Sequence, residues 1–124
     1  MNDLYAKSPT PKEIRVKREE KTLEVDFEDG ASFSIPAELL RVESPSAEVQ
    51  GHSPSQKKIV PGKAKVSITS VDPVGHYAVK IVFDDLHDTG IYSWDYFHEL
   101  GPRIEEVWNT YLANLEAQGL SRDS

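Results

Sequence analysis

Four residues with metal-ligand chemistry cluster in one short stretch of the chain, at Asp84, Asp85, His87 and Asp88. An imidazole beside carboxylates is a ligand set that suits iron or zinc. Acidic residues and histidines are also common in plain polar turns between strands, where they do no chemistry. The residues alone leave both interpretations open: a metal site built from His87 with Asp84 and Asp85, or a solvated turn.

Other kinds of chemistry lack the residues they need. The sequence has no G-x-S-x-G elbow of a serine hydrolase, and its seven glycines form no phosphate-binding turn. The serines of residues 43–62 have no evident base beyond His52. The absence of cysteine excludes disulfides, thiolate zinc sites, iron–sulfur ligation and a cysteine nucleophile. The sequence therefore predicts that the chain is not an enzyme.

The charges are unevenly distributed along a chain whose net charge is −7. Residues 49–71 contain four lysines and no acid, whereas residues 84–99 contain five acids and no Lys or Arg. Net acidity argues against nucleic acid as a partner, because binding phosphates requires a basic surface. The two runs are either solvated faces that attract each other weakly or a docking surface for an oppositely charged protein. For docking, the candidate contact residues are Asp85, Asp88 and Tyr92, the last because it is expected on the strand face opposite Trp94.

Periodicity predicts the elements that position these residues. Alternating or dense apolar residues predict strands at residues 14–17, 23–27, 33–35, 66–71, 77–83 and 90–92. Residues 72–75 have turn chemistry, and Asp29-Gly30 suits a tight hairpin. A short helix is predicted at 36–41, a second one after an N-cap at Ser93, and an amphipathic helix from 104 to near Gly119. The predicted fold class is α+β: a small, mostly antiparallel β-sheet domain with a short helix and a C-terminal amphipathic helix packed on the sheet.

A chain of 124 residues fits one domain. We expect a flexible N-terminal tail at 1–11, a single domain at 12–119 and a C-terminal tail at 120–124. Residues 43–62 are rich in Ser, Pro, Gly and Gln, which predicts a long and mobile loop. No apolar run approaches the ~20 residues that span a bilayer, and no secretory signal is visible. A cytoplasmic location without a membrane partner is therefore expected.

Several segments together resemble a known family. They are LEVDFEDG at 23–30, PAELLRV at 36–42, VGHYAV at 74–79 and DDLHDTGIYSW at 84–94. In order and spacing, over about residues 10–102, they resemble the gamma-butyrobetaine hydroxylase-like N-terminal domain, a domain of unknown function. The resemblance implies a domain that precedes an iron- and 2-oxoglutarate-dependent catalytic domain, is fused to P-loop ATPases that handle iron–sulfur clusters, or is free-standing in bacteria. This chain resembles the free-standing form, so hydroxylase activity is not expected.

The resemblance also implies a structural zinc whose ligands this sequence lacks. The family's three cysteine positions are Ser44, Ser46 and Val49 here, and its histidine position matches His87. A hydroxyl is a poor substitute for a thiolate, and valine offers no donor atom. Because one imidazole cannot complete a tetrahedral structural site, the sequence predicts that this zinc is not bound. No cofactor is predicted, and iron is kept as an alternative.

Two functional hypotheses follow. The first is a noncatalytic accessory or protein-interaction domain, linked by the resemblance to iron–sulfur or iron-dependent enzyme systems. Its partner would be an unidentified protein, and the chain itself a monomer or weak homodimer. The alternative is a metal-responsive or iron-binding module that uses His87 and the adjacent carboxylates.

Overall fold

Two three-stranded antiparallel sheets form the framework of the protein. The computed structural model describes residues 9–123, and nothing below refers to the structure of residues 1–8 or of Ser124. The strand order of the first sheet is β1 (Pro11–Lys17), β2 (Thr22–Phe27), β3 (Ser32–Pro36). The strand order of the second sheet is β4 (Ile68–Val74), β5 (Ala78–Phe83), β6 (Ile91–Ser93).

The strands follow from alternation in the sequence. In β2, Leu23, Val25 and Phe27 are buried, and the residues between them are half-buried. The same period of two recurs in β5 and defines one core-facing side of each central strand. Gly30 closes the β2–β3 hairpin with a φ of 93°, a conformation that a residue without Cβ adopts at no steric cost.

The helices are short except for the last. They are α1 (Ala37–Val42), α2 (Ala47–Gln50), α3 (Trp94–Leu100) and α4 (Ile104–Ala117), with 3₁₀ turns at Pro54–Gln56 and Gly101–Arg103. The predicted N-cap of α3 is present, since the Ser93 hydroxyl accepts a hydrogen bond from the Tyr96 N–H at 3.0 Å. Tyr111 and Leu115 of α4 belong to the same core as β2, β3, α1 and β5.

The predicted α+β class is confirmed, although the strands form two sheets and not one. Where the outer strands β1 and β4 approach each other, the Arg18 guanidinium donates to the Thr69 carbonyl at 2.8 Å. The Arg18 side chain thus bonds to a carbonyl of β4 that, in one continuous sheet, would accept from a backbone N–H of the neighbouring strand. The turn expected at residues 72–75 lies further along the chain, because β4 continues to Val74 and pairs Pro73 with Val79.

Residues 43–62 contain more order than their composition indicates. They include α2 and a 3₁₀ turn, and they are anchored by the buried side chains of Ser44, Ser46 and Val49. The Lys58 N–H also donates to the Val49 carbonyl at 2.7 Å. Buried anchors can therefore come from small residues that a hydrophobicity pattern does not single out.

The structure adds detail at the two expected terminal boundaries. Pro11 already belongs to β1, while most of the expected N-terminal tail lies outside the described residues. The expected C-terminal tail is attached, since the carbonyls of Ser121 and Arg122 accept hydrogen bonds from the N–H groups of Gly62 and Ala64 at 2.9 and 3.1 Å. Within residues 9–123, no helix combines the length and apolar character needed to cross a membrane.

Candidate functional site

The acidic stretch found in the sequence forms the turn between β5 and β6. Two backbone hydrogen bonds close this turn: Phe83 N–H to the His87 carbonyl at 2.9 Å, and Leu86 N–H to the Phe83 carbonyl at 3.1 Å. Leu86, at its tip, has a φ of 74°, and 88% of its surface is exposed. A bulky residue with positive φ is uncommon, and the conformation costs about 1–2 kcal/mol. We define residues 84–88 as the acidic turn.

Asp85 fastens the acidic turn to the body of the protein. Its Oδ2 accepts hydrogen bonds from Arg41 Nε at 2.8 Å and Lys63 Nζ at 2.7 Å, and its Oδ1 accepts from the His87 N–H at 3.1 Å. Partial burial alone would raise the pKa of Asp85, but the hydrogen bonds from Lys63, Arg41 and His87 outweigh it and lower the pKa to about 2. Asp85 is therefore an internal anchor, and its pairing with Lys63 is a direct contact between the basic and the acidic run.

The two flanking aspartates differ in role. Asp84 forms a reciprocal pair with Ser67: its carboxylate accepts from the Ser67 N–H at 3.0 Å, and its own N–H donates to the Ser67 carbonyl at 2.9 Å. Asp88 is exposed. Of the predicted contact residues, Asp88 is thus available at the surface, whereas the carboxylate of Asp85 is largely used inside the protein.

His87 lies in a buried cluster of hydroxyl groups. Its Nε2 is 3.0 Å from Ser44 Oγ and 3.4 Å from Ser46 Oγ, and its Nδ1 is 3.3 Å from Glu48 Oε1. Burial lowers the pKa of the imidazole, and the charge of Arg41 lowers it further, against weaker opposing effects from the nearby carboxylates. The histidine is therefore held neutral, as a hydrogen-bonding link between the acidic turn and the start of residues 43–62.

The series Ser44, His87, Glu48 has the chemical order of a serine-hydrolase relay, namely hydroxyl, imidazole and carboxylate. Ser44, however, has 0% of its surface exposed. No substrate carbonyl can reach its hydroxyl, so the relay has no access to a reaction. The arrangement holds the fold together and does not make a nucleophile.

Comparison with known proteins identifies the family. Residues 14–98 match the family model described as gamma-butyrobetaine hydroxylase-like, N-terminal. The chain belongs to this family. The resemblance found in the sequence is thereby confirmed, and no curated protein matches the chain significantly.

Solved structures support the same assignment. One solution NMR structure of a protein is 45% identical, with a TM-score of 0.80, covering 93% of this chain and 90% of its own. A second NMR structure is 43% identical, with a TM-score of 0.83, covering 98% and 90%. The crystal structure of a DUF971-family protein of unknown function from Acidithiobacillus ferrooxidans is 42% identical, with a TM-score of 0.63, covering 74% and 92%. These relatives indicate a domain family of unknown function.

The family resemblance implied a structural zinc, and the residues at that place do not fit one. The cluster around His87 offers one imidazole and two neutral hydroxyls beside its Nε2, the Glu48 carboxylate lies on the other side of the ring near Nδ1, and the buried Val49 adds no donor atom. Nowhere in the described part of the chain do three or more His, Asp or Glu side chains converge as a metal site would require. The carboxylates of Asp84 and Asp85, considered with His87 as iron ligands, are engaged by Ser67, Arg41 and Lys63.

The predicted contact role of Tyr92 is wrong. Its side chain is fully buried, and its hydroxyl donates to the Leu40 carbonyl at 2.6 Å. Burial raises the pKa of the phenol well above its usual range. Residues 92 and 94 are two positions apart, and strand alternation places such residues on the same face, so alternation does not support a position opposite Trp94. Trp94 is the first residue of α3 after the Ser93 cap, and the exposed residue of β6 is Ile91.

Two residues of the site were not found from the sequence. Arg41 and Leu86 stand out only in three dimensions, the first because it reaches Asp85 across 44 positions, the second because of its backbone conformation. The sequence did contain a signal for Leu86. It is an apolar residue in an acidic segment between two predicted strands, where it is not part of a core-facing pattern.

Proposed function

We propose that this chain is a noncatalytic protein-interaction domain that contacts its partner through the acidic turn. The observation that carries the proposal is the exposed Leu86 side chain, held at positive φ at the tip of a turn that is fixed from beneath. Strained backbone at an exposed position is characteristic of functional sites, because folding alone would favour glycine or asparagine there.

Preorganisation supports this role. Asp84 and Asp85 bond to Ser67 and Lys63, and Asp85 and His87 bond to Arg41 and Ser44, so two separate segments of the chain hold the turn. A contact residue on a preformed support loses little conformational entropy on binding, and more of its contact energy remains as affinity. The turn therefore suits recognition better than a free loop would.

The charges around Leu86 indicate the chemistry of the partner. Asp84 and Asp88 are exposed beside it, and the exposed Glu48 approaches His87 from α2. An apolar tip with an acidic rim complements a shallow apolar pocket with a basic rim. The family resemblance supports looking for that partner among iron–sulfur or iron-dependent enzyme systems.

Site-specific photo-crosslinking tests the proposal. A photoreactive phenylalanine analogue at position 86 is compared with the same analogue at Leu112, an exposed leucine of α4. In cells that make the protein, we expect one discrete adduct from position 86 and none from 112. Equal adducts at both positions, or none at 86, would contradict a docking role for the turn.

The identified adduct then permits a quantitative test. We expect Leu86→Asn, which removes the apolar tip but accepts positive φ, to weaken binding about tenfold or more. Asp88→Lys should weaken binding mainly at low salt, because exposed charge pairs are screened. Undiminished affinity in both variants would remove the turn from the interface.

The iron-binding alternative has less support among the described contacts, since Asp84 and Asp85 are bound elsewhere and a single carboxylate, that of Glu48, lies near the imidazole of His87. Titration of the protein with ferrous ion, followed by NMR at the His87 amide, tests it. Specific broadening at micromolar iron would favour the alternative over the docking proposal.

A further inference from the structure

A second surface with recognition chemistry lies between the two sheets. β1 is an outer strand of the first sheet and β4 an outer strand of the second, and a groove of about 570 Å³ separates them. Its apolar lining includes Ile14, Val16, Val71, Pro73, Val79 and Trp94. It shares no residue with the acidic turn.

The backbone of β1 presents hydrogen-bonding groups to this groove. Phe27 donates its N–H to Ala31, so it faces β3, and alternation then turns Glu24 and Asp26 towards β1. Their partners in β1 are Arg15 and Glu13. The intervening residues of β1, residues 14 and 16, therefore direct their N–H and carbonyl groups away from β2 and into the groove.

The backbone of β4 does the same from the other side. Ile81 donates its N–H to the Gly90 carbonyl, so it faces β6 and leaves its β4 partner, Val71, without a ladder bond to β5. Val71 therefore also directs its N–H and carbonyl into the groove. Pro73 follows on the same edge, which is where a strand tolerates a residue without an N–H.

The floor and the rim complete the description of the groove. Val79 is buried and Trp94 half-buried, with the indole N–H bonded to the His76 carbonyl at 3.0 Å. At the rim, Lys12 and Arg18 pair with no carboxylate among the described residues, although one Arg18 nitrogen, Nη2, donates to the Thr69 carbonyl at 2.8 Å; Glu13 pairs with Arg15. The groove thus combines unpaired strand edges, an apolar floor and two cations, Lys12 and Arg18, that have no ion pair among the described residues.

We propose that this groove binds an extended peptide segment of a partner protein, apolar at alternate positions and acidic at its ends. The segment adds a strand beside β1: its backbone bonds to residues 14 and 16, its apolar side chains rest on Val79 and Trp94, and its carboxylates meet Lys12 and Arg18. Adding a strand to an exposed edge is a general mode of peptide recognition, in which the backbone gives affinity and alternate side chains give specificity.

The probe is the peptide acetyl-EVTVTVE-amide, titrated into the full-length protein labelled with ¹⁵N. We expect saturable shifts of the amides of Ile14, Val16 and Val71. Two further peptides carry N-methyl groups on alternate residues, one for each edge of the strand. At least one of them should bind about tenfold more weakly, because it loses backbone hydrogen bonds. Equal affinity of all three peptides, or no binding, would overturn the proposal.

A matched pair of variants tests the location. Ile14→Pro removes an N–H that faces the groove, and Ile91→Pro removes the corresponding outward N–H at the opposite edge of the second sheet, where Ile91 faces Lys80. Neither change removes a ladder bond. We expect Ile14→Pro to lower the affinity for the peptide about tenfold and Ile91→Pro to leave that affinity unchanged. The reverse result would overturn the proposal. The methylated peptides are titrated into the wild-type protein, so that test does not depend on whether either variant folds.

Other occupants have distinct signatures. Shifts of the groove amides on diluting the protein without peptide would indicate a second copy. Broadening of those amides by a nitroxide on an Asp3→Cys variant would indicate the chain's own N-terminal residues. Either result would overturn the proposal. Leu86→Asn should bind the probe as the wild type does, so failure of the groove and failure of the acidic turn are distinguishable.

Discussion

At the scale of single residues, we expect His87 to make the stability of the domain depend on pH. Its folded pKa lies below the usual 6.5, whereas the unfolded chain takes up the proton near that value. Between the two values the unfolded state binds more protons, so stability falls as the pH drops through 6.5. Urea unfolding at about pH 7.5 and about pH 5.5 should show this loss.

Two variants separate His87 from the other histidines in that measurement. His87→Gln should remove most of the pH dependence, and His52→Gln, at an exposed position, should preserve it. If the free energy of unfolding of His87→Gln changed with pH as much as that of the wild type, another group would be responsible for the pH dependence.

Asp85 is expected to be the most costly acid of the acidic turn to neutralise. Asp85→Asn leaves the cations of Arg41 and Lys63 without their shared carboxylate, and Arg41 Nη1 is already buried without a partner among the described residues. We expect a loss of about 2–3 kcal/mol in the free energy of unfolding, against less than about 0.5 kcal/mol for the exposed Asp88→Asn. Equal effects of the two substitutions would contradict an anchoring role.

The same carboxylate predicts a second pH window. Because the folded pKa of about 2 lies below the ordinary 3.8, the ion pairs stabilise the domain fully above 3.8. Their contribution, about 2 kcal/mol, is lost as the pH falls through the folded pKa. In Asp85→Asn, stability should therefore fall less between about pH 4 and about pH 2 than it does in the wild type.

At the scale of elements, sequence periodicity predicted more of the fold than of the site. The alternation in β2 and β5 and the cap at Ser93 depend on neighbouring residues, which is why a local pattern reveals them. The separation into two sheets depends on which strands pair across distant parts of the chain. Alternation assigns residues to faces but carries no information about pairing partners.

The candidate site shows the same limit. The acidic turn was found from its composition, but its supports at Arg41 and Ser44 lie 44 and 43 positions away. Tyr92 was misassigned because it was placed on the face opposite a residue two positions away, whereas within β6 Ile91 is exposed and Tyr92 is buried. Contacts between distant segments determine which member of a motif is exposed, and a single sequence does not contain them.

Gly90 marks a point where elements approach too closely for a side chain. A Cβ there would lie 2.5 Å from Ser44 Oγ and 2.8 Å from the Tyr92 ring. We expect Gly90→Ala to cost about 1–3 kcal/mol, because the added methyl group would push the residue before β6 away from Ser44, just after α1. Adding Ser44→Ala should reduce that cost, which urea unfolding of the two single variants and the double variant would measure. Strict additivity would contradict a steric cause.

The hydroxyl cluster around His87 offers a test by restoration. The wild-type protein should retain substoichiometric zinc after dialysis against a chelator, measured by elemental analysis, because its donors are neutral hydroxyls. Replacing Ser44, Ser46 and Val49 by cysteine should produce a Cys₃His site that retains one equivalent. The double variant that keeps Val49 is the matched control and should bind more weakly. Stoichiometric zinc in the wild type would overturn the prediction.

At the scale of the whole molecule, the residues after α4 are bonded to α1, far away in the sequence. Two of the three guanidinium nitrogens of Arg122, Nε and Nη2, donate to the carboxylate of Glu38 at 2.9 and 2.8 Å, and the guanidinium lies 5.0 Å from the centre of the Trp108 ring. The side chain of Glu38 is only 7% exposed. A segment with the composition of a tail therefore completes the environment of a buried acid in α1.

This attachment predicts a stability coupling between two residues 84 positions apart. Arg122→Met should lower the free energy of unfolding by about 1–3 kcal/mol, because it leaves a buried carboxylate without its partner. In a domain of this size, each kcal/mol corresponds to about 3–5 °C in Tm. Combined with Glu38→Met, the loss should be smaller than the sum of the single effects, because no unpaired charge remains. Additive losses in this double-mutant cycle would mean that residues 120–123 rest on the domain without stabilising it through Glu38.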